Sequence, residues 1–184
     1  FSKKLKVKVF TDYKRAISVT KPETVIILTP SGYHGEHICY GLKNRCNIIV
    51  EKPLCLKISD GKKILLLAKK YKKKVFVVMQ NKFNLPVLKL REDIKNKKFG
   101  RLLHASVIVR WMRDENYYSQ ASWRGTWKYD GGVIANQASH HLDLMRSVMG
   151  DPISLYAQAT NHLAKIQCED TALILFKFKG KKTG

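Results

Sequence analysis

Apolar residues in this chain come in short runs separated by polar, lysine-rich stretches, and the runs recur at the spacing of alternating strands and helices. Val25 to Leu28 is a continuous apolar run between Pro22 and Pro30, the pattern of a strand buried on both faces. Asn47 to Val50 is a β-branched run ending in Glu51-Lys52-Pro53, and Val75 to Met79 is a third run. Between them, His34 to Lys43 reads as a short helix. Ser59 reads as the N-cap of another, which carries Ile64, Leu65, Leu67 and Ala68 before a lysine-rich end. Val7 to Phe10 reads as a further short strand. Strand, helix, strand, helix, strand at this spacing predicts a parallel α/β sheet.

After Gln80 the pattern changes. Pro86 to Lys97 predicts a helix closed by Gly100, Leu102 to Met112 a long strand rich in Val, Ile and Trp, and Val133 to Met149 a helix. Ile153 to Leu163 and Thr171 to Phe178 alternate apolar and polar residues, as half-exposed antiparallel strands do. The second half is therefore expected to be α+β, with a boundary near residues 80–86. No internal repeat is present.

Composition adds one unusual feature. The 184 residues carry 35 Lys and Arg against 14 Asp and Glu, a net charge of +21. The lysines cluster at 69–74, at 95–98 and near 177–182. One reading is an electrostatic footprint for nucleic acid. The other is a solvated lysine surface that also attracts anionic small molecules. No nucleic-acid motif accompanies the runs, and they sit at predicted helix ends and in a tail, so the second reading is preferred. No apolar stretch is long enough to span a bilayer. The opening FSKKLKVKVF has lysines where a signal peptide would have its apolar region. Cys39, Cys46, Cys55 and Cys168 show no CxxC spacing and read as reduced thiols of a cytoplasmic protein.

The candidate chemistry gathers at the carboxyl ends of the predicted parallel strands, where an α/β sheet presents its ligand crevice. Three such ends are readable: Thr29-Pro30-Ser31, Glu51-Lys52-Pro53 and Gln80-Asn81. Ser31 and the N-terminus of the following helix can meet an anionic or ribose group, with His34 on the first helical turn. A plain strand-to-helix turn is the alternative. Lys52, between a carboxylate and a proline, would place an ammonium donor at the crevice, and desolvation there would lower its pKa toward a range useful for proton transfer. A surface lysine paired with Glu51 is the alternative. His34 and His37 lie at i,i+3, but no further ligand completes a metal set, so no metal is assigned.

The most informative stretch is SWRGTWKYDGGVIANQASHHLDLM, Ser122 to Met145. Gly131-Gly132 precede a predicted helix on which Asn136, His140 and Asp143 fall at i, i+4 and i+7 and share one face. A histidine held by neighbouring Asn or Asp side chains is a credible acid/base group at neutral pH. Adjacent His140 and His141 point about 100° apart on a helix and do not make a metal pair. Upstream, Trp123, Arg124, Trp127 and Tyr129 form an aromatic and basic loop able to hold a phosphate or stack on a planar ring. Interdomain packing is the alternative.

Taken in order, TPSGYH, EKP, QNKFNLP and the GG…N…H..D helix resemble the glucose-fructose oxidoreductase/inositol dehydrogenase (Gfo/Idh/MocA) family from about Thr11 to Phe178. Within it, WRGTWKYDGG with NQASHHLDL is similar to the UDP-N-acetylglucosaminuronate (UDP-GlcNAcA) 3-dehydrogenases of surface-polysaccharide synthesis. The wider family commonly has Asp where this chain has Asn136. The resemblance implies an α/β fold class: a truncated Rossmann-type parallel sheet over residues 1–82, then an α+β domain with an open, mostly antiparallel sheet over residues 83–184. It implies NAD as cofactor, lined by Thr29, Pro30, Ser31, His34, Glu51, Lys52 and Gln80. It implies a nucleotide-sugar substrate held by Lys52, Arg124, Trp127, Asn136, His140 and Asp143, with Lys52 and His140 as the proton-transfer pair. It also implies a homo-oligomer formed through the second sheet. The glycine fingerprint GxGxxG and the acid that grips the adenosine ribose are absent from these residues. Too little chain precedes Val25 for a first βαβ unit, and GKKTG follows directly on a strand, so the expectation is a fragment cut at both ends. The alternatives are a family member acting on a free sugar or inositol, and a non-catalytic remnant that binds a nucleotide sugar or a partner subunit.

Overall fold

A computed structural model describes residues 6–184; the first half of the FSKKLKVKVF stretch, residues 1–5, lies outside the described residues. The chain divides into two compact units after Val78.

The first unit is built on a parallel sheet in the order β1 (Thr24–Ile27), β2 (Asn47–Glu51), β3 (Val75–Val78). Its register pairs Val25 with Ile48 and Ile27 with Val50, then Ile48 with Val75 and Val50 with Val77. Three helices accompany it. The helix α1 (Tyr13–Thr20) has no counterpart among the predicted elements. It starts because the Asp12 carboxylate accepts from the Lys14 N–H at 2.9 Å, a side-chain N-cap. The crossovers are α2 (Ser31–Lys43) and α3 (Ile58–Tyr71). Val25, Ile27, Ile48, Val50, Val75 and Val77 all face one core with Ile17 of α1, Ile38 and Leu42 of α2, and Ile64 of α3.

The opposite sheet face is bare among the described residues. Ile26, Ile49 and Phe76 stand in register across it, with Ile26 62% and Phe76 55% exposed. The continuous apolar run of β1 therefore marks a strand covered on one face, not on both. Val7 to Phe10 forms no strand: no described neighbour offers a ladder, and Val7 and Val9 are exposed. Ser59 is not the N-cap of α3 either. The chain turns at Lys57, whose backbone is extended, and Asp60 supplies the negative charge that favours a helix N-terminus.

The second unit opens with a 3₁₀ turn (Gln80–Phe83) and α4 (Leu85–Lys95), with a proline in its first turn. The helix stops at Asn96, four residues before Gly100. Two antiparallel strands, β4 (Pro152–Thr160) and β5 (Thr171–Phe178), are joined by the short β6 (Lys182–Thr183). Leu163 lies outside β4, because residues 161–170 form a loop. Its His162, Leu163 and Ala164 N–H groups all donate to the Asp170 carboxylate. Leu102 to Met112 is not a ladder strand. Among the described residues only His104 bridges, to Thr183, and a groove of about 500 Å³ lies between the rest of the segment and β5. β-Propensity without an adjacent backbone to pair with does not make a strand.

The predicted helix Val133–Met149 is two helices, α6 (Gly132–Ala135) and α7 (Ser139–Met149), after a short α5 (Glu115–Ser119). The break falls where the Ala138 N–H reaches back five residues to the Val133 carbonyl instead of four. Met145 and Met149 of α7 pack on Phe178. On the other face of the β4–β5 sheet, Tyr156, Leu173 and Leu175 remain exposed.

Candidate active site

In the first unit the parallel register sets the ends of β1 and β2 side by side, and six of the expected site residues come together there. Thr29 and Pro30 leave β1. Pro30 is the N-cap of α2 in an extended conformation, and Ser31 opens the helix. No side chain caps these first-turn amides and no acid lies in the first turn, so the helix N-terminus can accept an anion or a hydroxyl. That is the fit an NAD moiety requires at this strand end. On β2, the Glu51 carboxylate accepts from the Lys52 N–H at 3.2 Å, and the Lys52–Pro53 peptide is cis.

His34 is 1% exposed. Its Nδ1 lies 2.7 Å from the Pro53 carbonyl and its Nε2 2.8 Å from the Thr29 carbonyl. Both partners only accept, so the ring donates to both at once only when it carries both protons. Its contribution to the rim is a clasp that fixes the β1 and β2 ends against α2. His37 sits one turn on, with Nδ1 3.1 Å from Thr29 Oγ1 and its ring stacked on Tyr33. Burial pushes its pKa down.

Gln80 belongs to the second unit, in the 3₁₀ turn. That turn also carries Lys82, whose Nζ lies 2.8 Å from Asp143 Oδ2 on α7. Sequence reasoning passed over Lys82, although it lies within the QNKFNLP stretch. The helix break changes the expected polar face. His140 and Asp143 share α7, while Asn136 lies in the link between α6 and α7. Asn136 gives its side-chain N–H to the carboxylate of Asp130.

Two buried acids organise the segment around Gly131-Gly132. Asp130 also accepts from the Gly125 N–H at 2.8 Å. Glu169 accepts from the Ile134 N–H at 3.0 Å, in the first turn of α6. Gly132 has φ +69, and a Cβ there would overlap the Glu169 carboxylate, which is why glycine is needed at 132; Gly131 before it is also left-handed, at φ +86. Burial, with the Glu169 charge adding to it, pushes the Cys168 thiol up to about 11. Burial likewise holds the Tyr118 phenol up at about 12. An acid directly before a Gly-Gly turn was the available signal for Asp130.

Arg124 is fixed by α5 and the residue after it. Its guanidinium donates to the Tyr117 carbonyl and to Gln120 Oε1, both at 2.8 Å, and lies 4.2 Å from the Tyr117 ring centroid. Trp127 is exposed. In the second unit Asp130 links the Gly125 N–H, next to Arg124, to Asn136, and Lys82 pairs with Asp143, which shares α7 with His140.

Comparison with known proteins bears directly on this arrangement. Residues 87–184 match the GFO/IDH/MocA C-terminal domain, and residues 1–79 match the oxidoreductase family NAD-binding Rossmann fold. The chain belongs to the Gfo/Idh/MocA oxidoreductase family. Among Gfo/Idh/MocA structures, it resembles the WlbA dehydrogenase of Chromobacterium violaceum in complex with NADH and UDP-GlcNAcA, at 32% identity and TM-score 0.96 over 100% of this chain and 53% of that one. The Bordetella pertussis WlbA dehydrogenase, also in complex with NADH and UDP-GlcNAcA, is 29% identical with TM-score 0.94, over 97% of this chain and 54% of that one. The D-glucoside 3-dehydrogenase of Escherichia coli K12 is 24% identical over 78% of this chain and 40% of its own length. The chain spans about half the length of the two WlbA proteins and less of the third. A parallel Rossmann-like sheet followed by a unit with an antiparallel sheet is the arrangement these Gfo/Idh/MocA structures share with it.

Proposed function

We propose that this chain serves an NAD-dependent dehydrogenase that oxidises a sugar hydroxyl of a UDP-N-acetylglucosaminuronate-type nucleotide sugar, in the cytoplasmic stage of surface-polysaccharide synthesis. The observation that carries the proposal is the likeness, along the whole chain, to the two WlbA dehydrogenases in complex with NADH and UDP-GlcNAcA. The uncapped N-terminus of α2 supports the cofactor half of it. No helix among the described residues is long and apolar enough to cross a membrane.

In this reading NAD, when bound, supplies the hydride acceptor. Thr29, Pro30, Ser31, Glu51, Lys52 and Gln80 line it, with His34 clasping the rim. With NAD as the hydride acceptor, a side-chain base would take the proton of the hydroxyl whose carbon becomes the ketone. Lys52 and His140 are assigned to that proton transfer. Arg124 takes the anionic part of the nucleotide sugar, Trp127 stacks on a planar portion, and Asn136 and Asp143 orient the sugar and His140. The exposed apolar residues Tyr156, Leu173 and Leu175 on the open sheet support pairing with a second copy.

The test is NADH absorbance with UDP-N-acetylglucosaminuronate, free sugars and inositol as a panel. Turnover of the nucleotide sugar that falls at least about 100-fold in Lys52→Ala and in His140→Ala is expected. No turnover of any nucleotide sugar, or turnover indifferent to Lys52→Ala, overturns the assignment. Turnover confined to free sugars or inositol replaces the substrate.

A further inference from the structure

We propose that Asp130 is a positioning residue that decides which end of the Asn136 amide faces the substrate, and that it ties this amide to the Arg124 loop. The inference rests on the proposed reading of Asn136 as substrate-facing. Asp130 is 1% exposed. One of its oxygens accepts from the Gly125 N–H and the other from Asn136 Nδ2.

A carboxylate has lone pairs and no proton to give, so the Asn136 amide must turn its NH₂ toward Asp130. The amide oxygen is then directed to the other side. Asn136 consequently presents an acceptor, as an aspartate at the same position would, but without charge. The second half of the grip is equally constrained. Gly125 has φ +67, and a Cβ there would lie 2.6 Å from Ile166 Cγ2, so the backbone at this point has little room to shift. Arg124 is its immediate neighbour, and its guanidinium is tied to Tyr117 and Gln120. One buried carboxylate therefore sets the spacing between the anion-binding arginine and the acceptor amide.

The isosteric change Asp130→Asn reverses the polarity at one end only. The new side-chain oxygen keeps the Gly125 N–H, and the new NH₂ faces Asn136, which must flip and present its own NH₂ to the substrate. The expected result is a fall of about 100-fold in kcat/KM for the nucleotide sugar, comparable to loss of one fixed polar contact in an active site, with the unfolding midpoint little changed. The double variant Asp130→Asn/Asn136→Asp restores the pattern: the introduced amide donates its NH₂ to one oxygen of the introduced carboxylate, and the other carboxylate oxygen faces outward as an acceptor. It is expected to recover at least about tenfold of the lost kcat/KM. A second readout needs no turnover. The side-chain NH₂ resonances of Asn136, assigned by their loss in Asn136→Asp, are expected to exchange slowly with solvent in the natural protein and several-fold faster in Asp130→Asn.

Unaltered kcat/KM in Asp130→Asn, absence of recovery in a folded double variant, or unaltered Asn136 NH₂ exchange each overturns the positioning role. A natural protein inert toward every nucleotide sugar overturns the proposed function instead, and the exchange measurement then still decides the role of Asp130.

Discussion

Replacing Gly132 with alanine tests how the Gly-Gly turn is held. The residue has φ +69, a left-handed conformation that costs a non-glycine residue about 1 kcal/mol. The added methyl would overlap the Glu169 carboxylate, which is buried and bonded to the Ile134 N–H at 3.0 Å. Driving that carboxylate away forfeits a hydrogen bond to a charged group, about 1.5–3 kcal/mol. The lower chain entropy of alanine in the unfolded state returns about 0.5 kcal/mol. The expected net loss is about 3 kcal/mol. Trp111, Trp123 and Trp127 are the three tryptophans of the chain and all lie in the second unit, so tryptophan fluorescence during urea unfolding reports that unit alone. The midpoint is expected to fall by about 1–2 M urea. Gly180→Ala is the control. Its φ is +75, but nothing lies within 4 Å of the added methyl, so it carries the conformational cost only, about 1 kcal/mol. The combination Gly132→Ala with Glu169→Ala is expected to cost less than the two single changes together. Equal losses in Gly132→Ala and Gly180→Ala, or strict additivity with Glu169→Ala, would refute the reasoning.

Two further outcomes follow from other parts of the fold. His34→Ala removes a buried ring set between the Thr29 and Pro53 carbonyls, and it is expected to destabilise the first unit by about 3 kcal/mol, at least one lost hydrogen bond plus a cavity; far-ultraviolet circular dichroism during urea unfolding checks it, and a loss below about 1 kcal/mol counts against the clasp. Burial works to raise the Asp170 carboxyl, but the His162, Leu163, Ala164 and Thr171 donors outweigh it and bring it to about 2, below the ordinary 3.8. A group depressed in the folded state stabilises above its unfolded pKa and loses that contribution as the pH falls toward 2. Asp170→Asn is therefore expected to remove about 1 kcal/mol of stability at neutral pH, after solvent screening, and to flatten the acid limb between about pH 4 and 2. A limb unaltered by the substitution would place that pH dependence elsewhere.

Local pattern was enough for the elements whose causes are local. The β-branched runs at Val25, Asn47 and Val75, punctuated by proline and lysine, determined three parallel strands and the helices between them to within a few residues. The alternation in Thr171 to Phe178 determined β5 outright. The motifs themselves, from TPSGYH to the Gly-Gly helix, were sufficient to place the chain in its family. Tertiary structure decided what depends on a neighbour. Val7 to Phe10 and Leu102 to Met112 have strand-forming composition, but a ladder needs a second backbone. The apolar run of β1 could not say that only one of its faces is covered among the described residues. Nor could the spacing of Asn136, His140 and Asp143 reveal a break at 136–138, because a carbonyl can accept from five residues on as well as from four. The acids Asp130, Glu169 and Asp170 were least visible of all. A carboxylate acquires such a role from the N–H groups that converge on it, and those of Gly125, Ile134 and His162 are brought there by backbone turns that only the folded chain makes.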